Sequence, residues 1–144
     1  MAFTGNFMCT SFKSELMTKI HDFTVTTGDS FKIALYDGTA AFTAATTAYT
    51  ATNEVVGSGY SAGGKALTNI SPVTSGTTAY ADFADLTWST STITALGGLL
   101  YNDTAAGNPA VLVLDFGGSK VSSGGDFTIV FPAAAAATAI IRIA

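Results

Sequence analysis

From residue 66 to the C-terminus the sequence is a series of short runs rich in Thr, Val, Ile, Leu, Phe and Tyr, separated by clusters of Gly, Ser, Asn and Pro. This punctuation constrains the fold more than any other feature, because β-branched and aromatic side chains suit pleated, half-buried strands while Gly, Ser, Asn and Pro set turns. Strands are expected at about 66–70, 77–83, 86–96, 98–102, 110–116, 126–131 and 139–143, with SPVTSG, NDTAAGNP, GGSKVSSGG and PAAAAAT between them. Short strands at this spacing predict a sandwich. The run AVLVLDF from Ala110 is apolar on both faces, as a central strand covered on each side requires. In DFTIVF, Phe127, Ile129 and Phe131 share one face, and Pro132 stops the run. The Ala run at 133–137 favours helix by propensity but is barely more than one turn long, so it is expected to be a connection. AIIRIA predicts a last strand that ties the C-terminus into a sheet.

The first third is organised differently. Residues 1–10 carry Phe3, Phe7 and Met8 among Thr, Gly and Asn without a period of two or of 3.6, which predicts an extended arm that docks on a surface. From Ser11, Phe12, Leu16, Met17, Ile20 and Phe23 recur at helical spacing, predicting an amphipathic helix over about 11–22 with Thr10 or Ser11 as N-cap. After TTGD, the segment SFKIALYD alternates Phe31, Ile33 and Leu35 with Lys32, Ala34 and Tyr36, a strand that Asp37-Gly38 ends. The Ala/Thr tract at 39–53 and the following VVGSGYSAGG predict a long loop or loose hairpin closing near Lys65. The expected fold is all-β: a single-domain antiparallel β-sandwich, Ig-like or jelly-roll-like, over residues 11–144, with an arm at 1–10 and one short helix.

Composition narrows the function. Of 144 residues, 74 are Ala, Thr, Gly or Ser and only 16 are charged, while 48% are hydrophobic. High charge with low hydrophobicity marks disorder, and this balance is the reverse. The five Lys and single Arg are scattered at 13, 19, 32, 65, 120 and 142 and the pI is about 4.5, which argues against a nucleic-acid partner, since phosphate binding needs clustered cations. No stretch approaches the ~18–20 apolar residues of a membrane helix. MAFTGNFMCTSF lacks the basic start and apolar run of a secretion signal, so a soluble chain made in the cytosol is expected. A lone Cys9 forms no internal disulfide and is expected to be a small buried hydrophobe.

Reactive groups are few. His21 is the one candidate general base, but no nucleophile motif accompanies it, and its place near the expected helix end suits the helix dipole. Cys9 and His21 do not make a metal-ligand pattern, and Asp82, Asp85, Asp103, Asp115 and Asp126 lack the spacing of a calcium loop. GSGYSAGG from Gly57 is not followed by the Lys-Ser or Lys-Thr of a phosphate loop, and is expected to be a flexible loop. The sequons at Asn69 and Asn102 have no secretion signal to give them meaning. Trp88 is expected to be a core or sheet-face aromatic, and Tyr49, Tyr60, Tyr80 and Tyr101 suit either packing or an interface. No catalytic, cofactor-binding or metal residue is predicted.

The segments TGNFMCTSFKSELMTKIHDF, GDSFKIALYDGTA, TTAYTATNEVVGSGYSAGGKALTN, TTAYADFADLTW, GLLYND, NPAVLVLDFG, GDFTIVFP and AIIRI resemble, from end to end, a family of small tailed-bacteriophage virion proteins. The resemblance implies a non-enzymatic structural protein of the virion, present in the host cytoplasm during assembly. The role it implies best is a capsid decoration or cement protein that binds the major capsid protein or other virion proteins as a homo-oligomer, a homotrimer being favoured. A tail, baseplate or fibre component is the alternative, and a carbohydrate-binding module is a third. For a decoration protein, Phe3, Phe7 and Met8 are the expected docking residues, on a neighbouring subunit or on the capsid protein, because lattice binding calls for an apolar arm or sheet edge more than for reactive groups.

Overall fold

The computed structural model describes residues 3–144. In chain order its elements are β1 (Phe7–Met8), α1 (Thr10–Met17), β2 (Phe31–Tyr36), β3 (Lys65–Ala66), β4 (Asn69–Ser75), β5 (Thr78–Phe83), β6 (Leu86–Asn102), β7 (Ala110–Ile129) and β8 (Ile141–Ile143). They form two antiparallel sheets, one ordered β1-β7-β6-β2-β3 and the other β4-β5-β8. This is the all-β, sandwich-like architecture that the strand spacing predicts.

Aromatic residues join the two sheets. Phe31 of β2 stacks flat on Phe23 with centroids 4.4 Å apart, and both meet Phe83 of β5 edge-on at 5.8 and 6.2 Å. Phe131 extends the cluster at 5.8 Å from Phe83. Offset and edge-to-face contacts of this kind each add about 0.5–1.5 kcal/mol beyond simple burial. Ala110 to Leu114 are all buried, as their two-sided apolar pattern requires.

Three elements differ from expectation. The helix stops at Met17, because Lys19 takes a left-handed φ of 63° and the N–H groups of Thr18 and Ile20 both return to the Glu15 carbonyl. Ile20 is thereby 42% exposed, and His21 turns inward. No side chain caps the N-terminus, where Cys9 holds the cap position in place of Thr10 or Ser11.

Second, 86–96 and 98–102 are one strand, as are 110–116 and 126–131, so a single long hairpin replaces four strands. The glycines expected to break it form irregularities within it instead. Between the pairs Gly97↔Asp115 and Ala95↔Lys120, β7 advances five residues while β6 advances two, and Gly117 and Gly118 in that bulge have φ of 70° and 126°.

Third, residues 3–9 are laid along the chain's own larger sheet. Phe7 and Met8 pair with Val113 and Leu112, the Cys9 N–H reaches the Val111 carbonyl, and the Asn6 side chain accepts from the Asp115 N–H. In the described part, 3–10, the expected arm docks on its own domain and forms an edge of it.

Candidate functional site

The three expected docking residues occupy different environments. Phe3 is 2% exposed and lies over Gly97, where any Cβ would overlap both the Phe3 ring and the Leu114 carbonyl; its other neighbour is Phe42 at 6.0 Å. Phe3 is therefore a core residue of its own chain, a correction to the expectation that it docks elsewhere: the missing side chain at Gly97 makes the seat its ring fills. Phe7 and Met8 are half-buried and line a shallow groove of about 180 Å³ with Leu112, Leu114 and Ile140.

His21 is not at a helix end but in the interior, in contact with Phe12, Phe23 and Phe31. Its Nε2 lies 2.7 Å from a Glu15 carboxylate oxygen and its Nδ1 lies 3.1 Å from the Asn102 side-chain nitrogen. These partners fit a ring that donates from Nε2 and accepts at Nδ1. Asn102 also donates to Asp29 at 2.7 Å, while its oxygen accepts from the N–H groups of Thr104 and Ala105. The network fastens the segment after α1 to the turn of the long hairpin. Both ring nitrogens already have protein partners, so the ring has no free lone pair to take a proton from a substrate. Asn102, a formal sequon, is fully buried.

A second polar cluster centres on Glu54, which is buried in the loop between β2 and β3. Its carboxylate accepts from the Tyr49 hydroxyl at 2.7 Å, the Tyr60 hydroxyl at 2.6 Å and the Gly63 N–H at 2.8 Å. The Tyr60 hydroxyl in turn accepts from the Leu35 N–H of β2. The Tyr101 hydroxyl donates to the Gly63 carbonyl, and its ring stacks on Tyr49 at 4.7 Å. Burial, and then the Glu54 contact, push the Tyr49 hydroxyl up to about 12, so the phenol stays a donor. GSGYSAGG is thus a pinned loop, and Tyr49, Tyr60 and Tyr101 belong to the internal network. The sequence marks Glu54 only by the scarcity of Glu.

Cys9 is fully buried; that burial, reinforced by the Glu15 charge, raises its thiol to about 11, which keeps it protonated and unreactive. Among the described residues no three of His, Cys, Asp and Glu converge as metal ligands, and no helix is long and apolar enough to cross a membrane. Trp88 is buried, and every aromatic side chain is buried or half-buried.

The surface offers apolar contact instead. Leu16, Phe23, Pro72, Ala79, Ile141 and Ile143 line an apolar groove of about 170 Å³ between α1 and the three-stranded sheet. Met17 beside it in sequence is 83% exposed, and Val56 is 98% exposed. Three of the four outer strands are blunted: Pro72 lies in β4, Lys65 in β3 and Arg142 in β8, residues that discourage strand addition. An open hollow of about 540 Å³ lies at the β7 bulge, lined by Phe116, Lys120, Val121, Asp126, Phe127 and Val130 among others.

Fold and surface together define a small all-β, two-sheet domain in which His21 and Glu54 are held in interior hydrogen-bond networks. Comparison with protein-family models, with curated proteins and with solved structures finds no match in any of the three.

Proposed function

We propose that this chain is a non-enzymatic structural subunit of a tailed-phage virion, a decoration or cement protein that binds the head lattice as a homo-oligomer, a homotrimer being the expected form. The end-to-end resemblance to small phage virion proteins supports the phage context. The observation that carries the reading is the use made of the scarce polar chemistry: Glu15, His21, Asn102 and Glu54 tie loops to the sheets, and the outside presents an apolar groove, exposed Met17 and Val56, and few charges. Such a surface suits repeated protein contacts, each modest in area and multiplied by the copies in a lattice. At the three blunted outer strands, those contacts run through side chains rather than strand addition. Because Phe3 is in the core, truncating 1–10 damages the domain; surface variants are the cleaner test. Met17→Asp and Ile143→Asp should leave the fold intact and reduce co-sedimentation with capsids that lack this protein. Undiminished binding by both variants removes the groove from the account, and no binding by the unaltered protein removes the decoration role.

A further inference from the structure

We propose that the polar hollow between the loop 57–65 and the start of β6 is a binding site for a single carboxylate, such as an aspartate or glutamate side chain of a partner protein presents. The hollow has a volume of about 430 Å³ and is lined by Gly59, Ser61, Gly64, Lys65, Trp88 and Ser89. Gly59, Ser61, Lys65 and Ser89 are exposed, so it opens to the surface, whereas Trp88 is only 4% exposed.

Two of its lining side chains have hydrogen-bonding capacity to spare. The Trp88 indole N–H makes no hydrogen bond to a described residue, yet the enclosed side-chain atoms without a partner belong to Ser11, Asn69 and Asp82. The indole N–H therefore reaches solvent, and the hollow is an opening that Trp88 lines. Lys65 gives one N–H to the Thr87 carbonyl, which fixes its ammonium group one residue from Trp88 and leaves two N–H groups over. The ion pairs among the described residues are His21–Glu15 and Lys32–Asp103, so Lys65 has no carboxylate of its own. Two carboxylates on neighbouring elements are engaged elsewhere: Glu54 with Tyr49, Tyr60 and Gly63, and Asp126 with the Thr90 N–H at the separate hollow of the β7 bulge.

The walls are fixed before any ligand arrives. Gly59 and Gly64 have φ of 78° and 75°, and a Cβ would press on the Ser91 backbone at the first and overlap the Ile33 carbonyl at the second. The loop is thus seated on both β6 and β2, and the Thr92 N–H donates to the Ser58 carbonyl at 2.8 Å. Binding to a preformed site costs little ordering. A carboxylate brings one charge and two acceptor oxygens, which match one ammonium and one indole N–H, with the exposed hydroxyls of Ser61 and Ser89 as further donors. A phosphate group carries up to two charges and pairs best with several cations, so a single lysine on a chain of net charge −4 suits it less.

Trp88 is the only tryptophan, so one indole cross-peak in a nitrogen–proton correlation spectrum of the full-length protein reports on this hollow alone. At pH 7 that peak should move saturably with sodium acetate and with N-acetyl-glutamate N-methylamide, which carries the side chain as a protein presents it, with dissociation constants on the order of 10 mM. Sodium chloride at equal ionic strength should not reproduce the movement. Lys65→Gln should weaken both carboxylates by about tenfold or more, and Lys65→Arg should retain them. Ser61→Asp, which sets a like charge in the hollow at an exposed position, should also abolish binding and decides the matter if Lys65→Gln does not fold. No saturable movement with either carboxylate, equal affinity in Lys65→Gln, or tighter binding of inorganic phosphate than of both carboxylates overturns the proposal. The titration reads the hollow without a capsid, so its failure leaves the lattice role standing, and a failure to bind capsids leaves the carboxylate site standing.

Discussion

Glu54→Ala removes the acceptor on which the long loop between β2 and β3 converges. Three donors lose their partner: the hydroxyls of Tyr49 and Tyr60 and the Gly63 N–H. Hydrogen bonds to a charged group net about 1.5–3 kcal/mol each, and a donor stranded in the interior adds its desolvation cost. Tyr49 is half-buried and water can reach it after the change, so its share is small. Tyr60 and Gly63 then set the loss at about 3–5 kcal/mol, a large fraction of a typical domain's stability. Glu54→Gln keeps one carbonyl oxygen for Tyr60 and Gly63 and opposes an amide to Tyr49, so about 1 kcal/mol is expected. Urea unfolding at pH 7, read as a midpoint shift at unchanged slope, measures both. A loss under about 1 kcal/mol for the Ala variant, or equal losses for Ala and Gln, would refute the view that this carboxylate pins the loop.

Phe3→Ala empties the seat over Gly97 and should cost about 3–5 kcal/mol in the same assay, whereas Phe7→Ala at the half-buried edge should cost clearly less. Cys9 should resist a thiol reagent at pH 8 in the native state and react rapidly in denaturant; native labelling within minutes would contradict its burial. Hydrogen bonds from the Thr39 hydroxyl and N–H hold the Asp37 carboxyl below its ordinary value. Its contribution is thus present above the unfolded value near about 4 and lost as pH falls through the folded one. The stability gap between the unaltered protein and Asp37→Ala should therefore narrow below about pH 4, and a constant gap would contradict this.

What was legible in the sequence followed the period of burial. AVLVLDF announces a strand covered on both faces, and SFKIALYD a strand, because side-chain alternation is a local property. The spacing predicts a longer helix than the chain forms because Ile20 and Phe23 continue the helical period, and nothing in that spacing records the left-handed turn at Lys19. Gly97, Gly117 and Gly118 look like turn residues by composition. Their role as a seat for Phe3 and as a bulge depends on contacts with segments far away in the chain. Likewise Tyr49, Glu54, Tyr60 and Gly63 stand within a short stretch, but a loop without a period carries no signal of which side chains point inward. Phe3, without a period around it, could equally suit an outside surface or its own core, and Gly97 decides for the core.

The most direct test of the central claim is the content of intact particles. Gradient-purified phage heads from cells in which this gene is active should contain the chain in many copies, with density for the two-sheet domain repeated at equivalent positions over the head lattice. Absence of the chain from purified particles, with all of it left in the unassembled fraction, would contradict a virion role; a few copies at one vertex would assign it to the tail and contradict decoration.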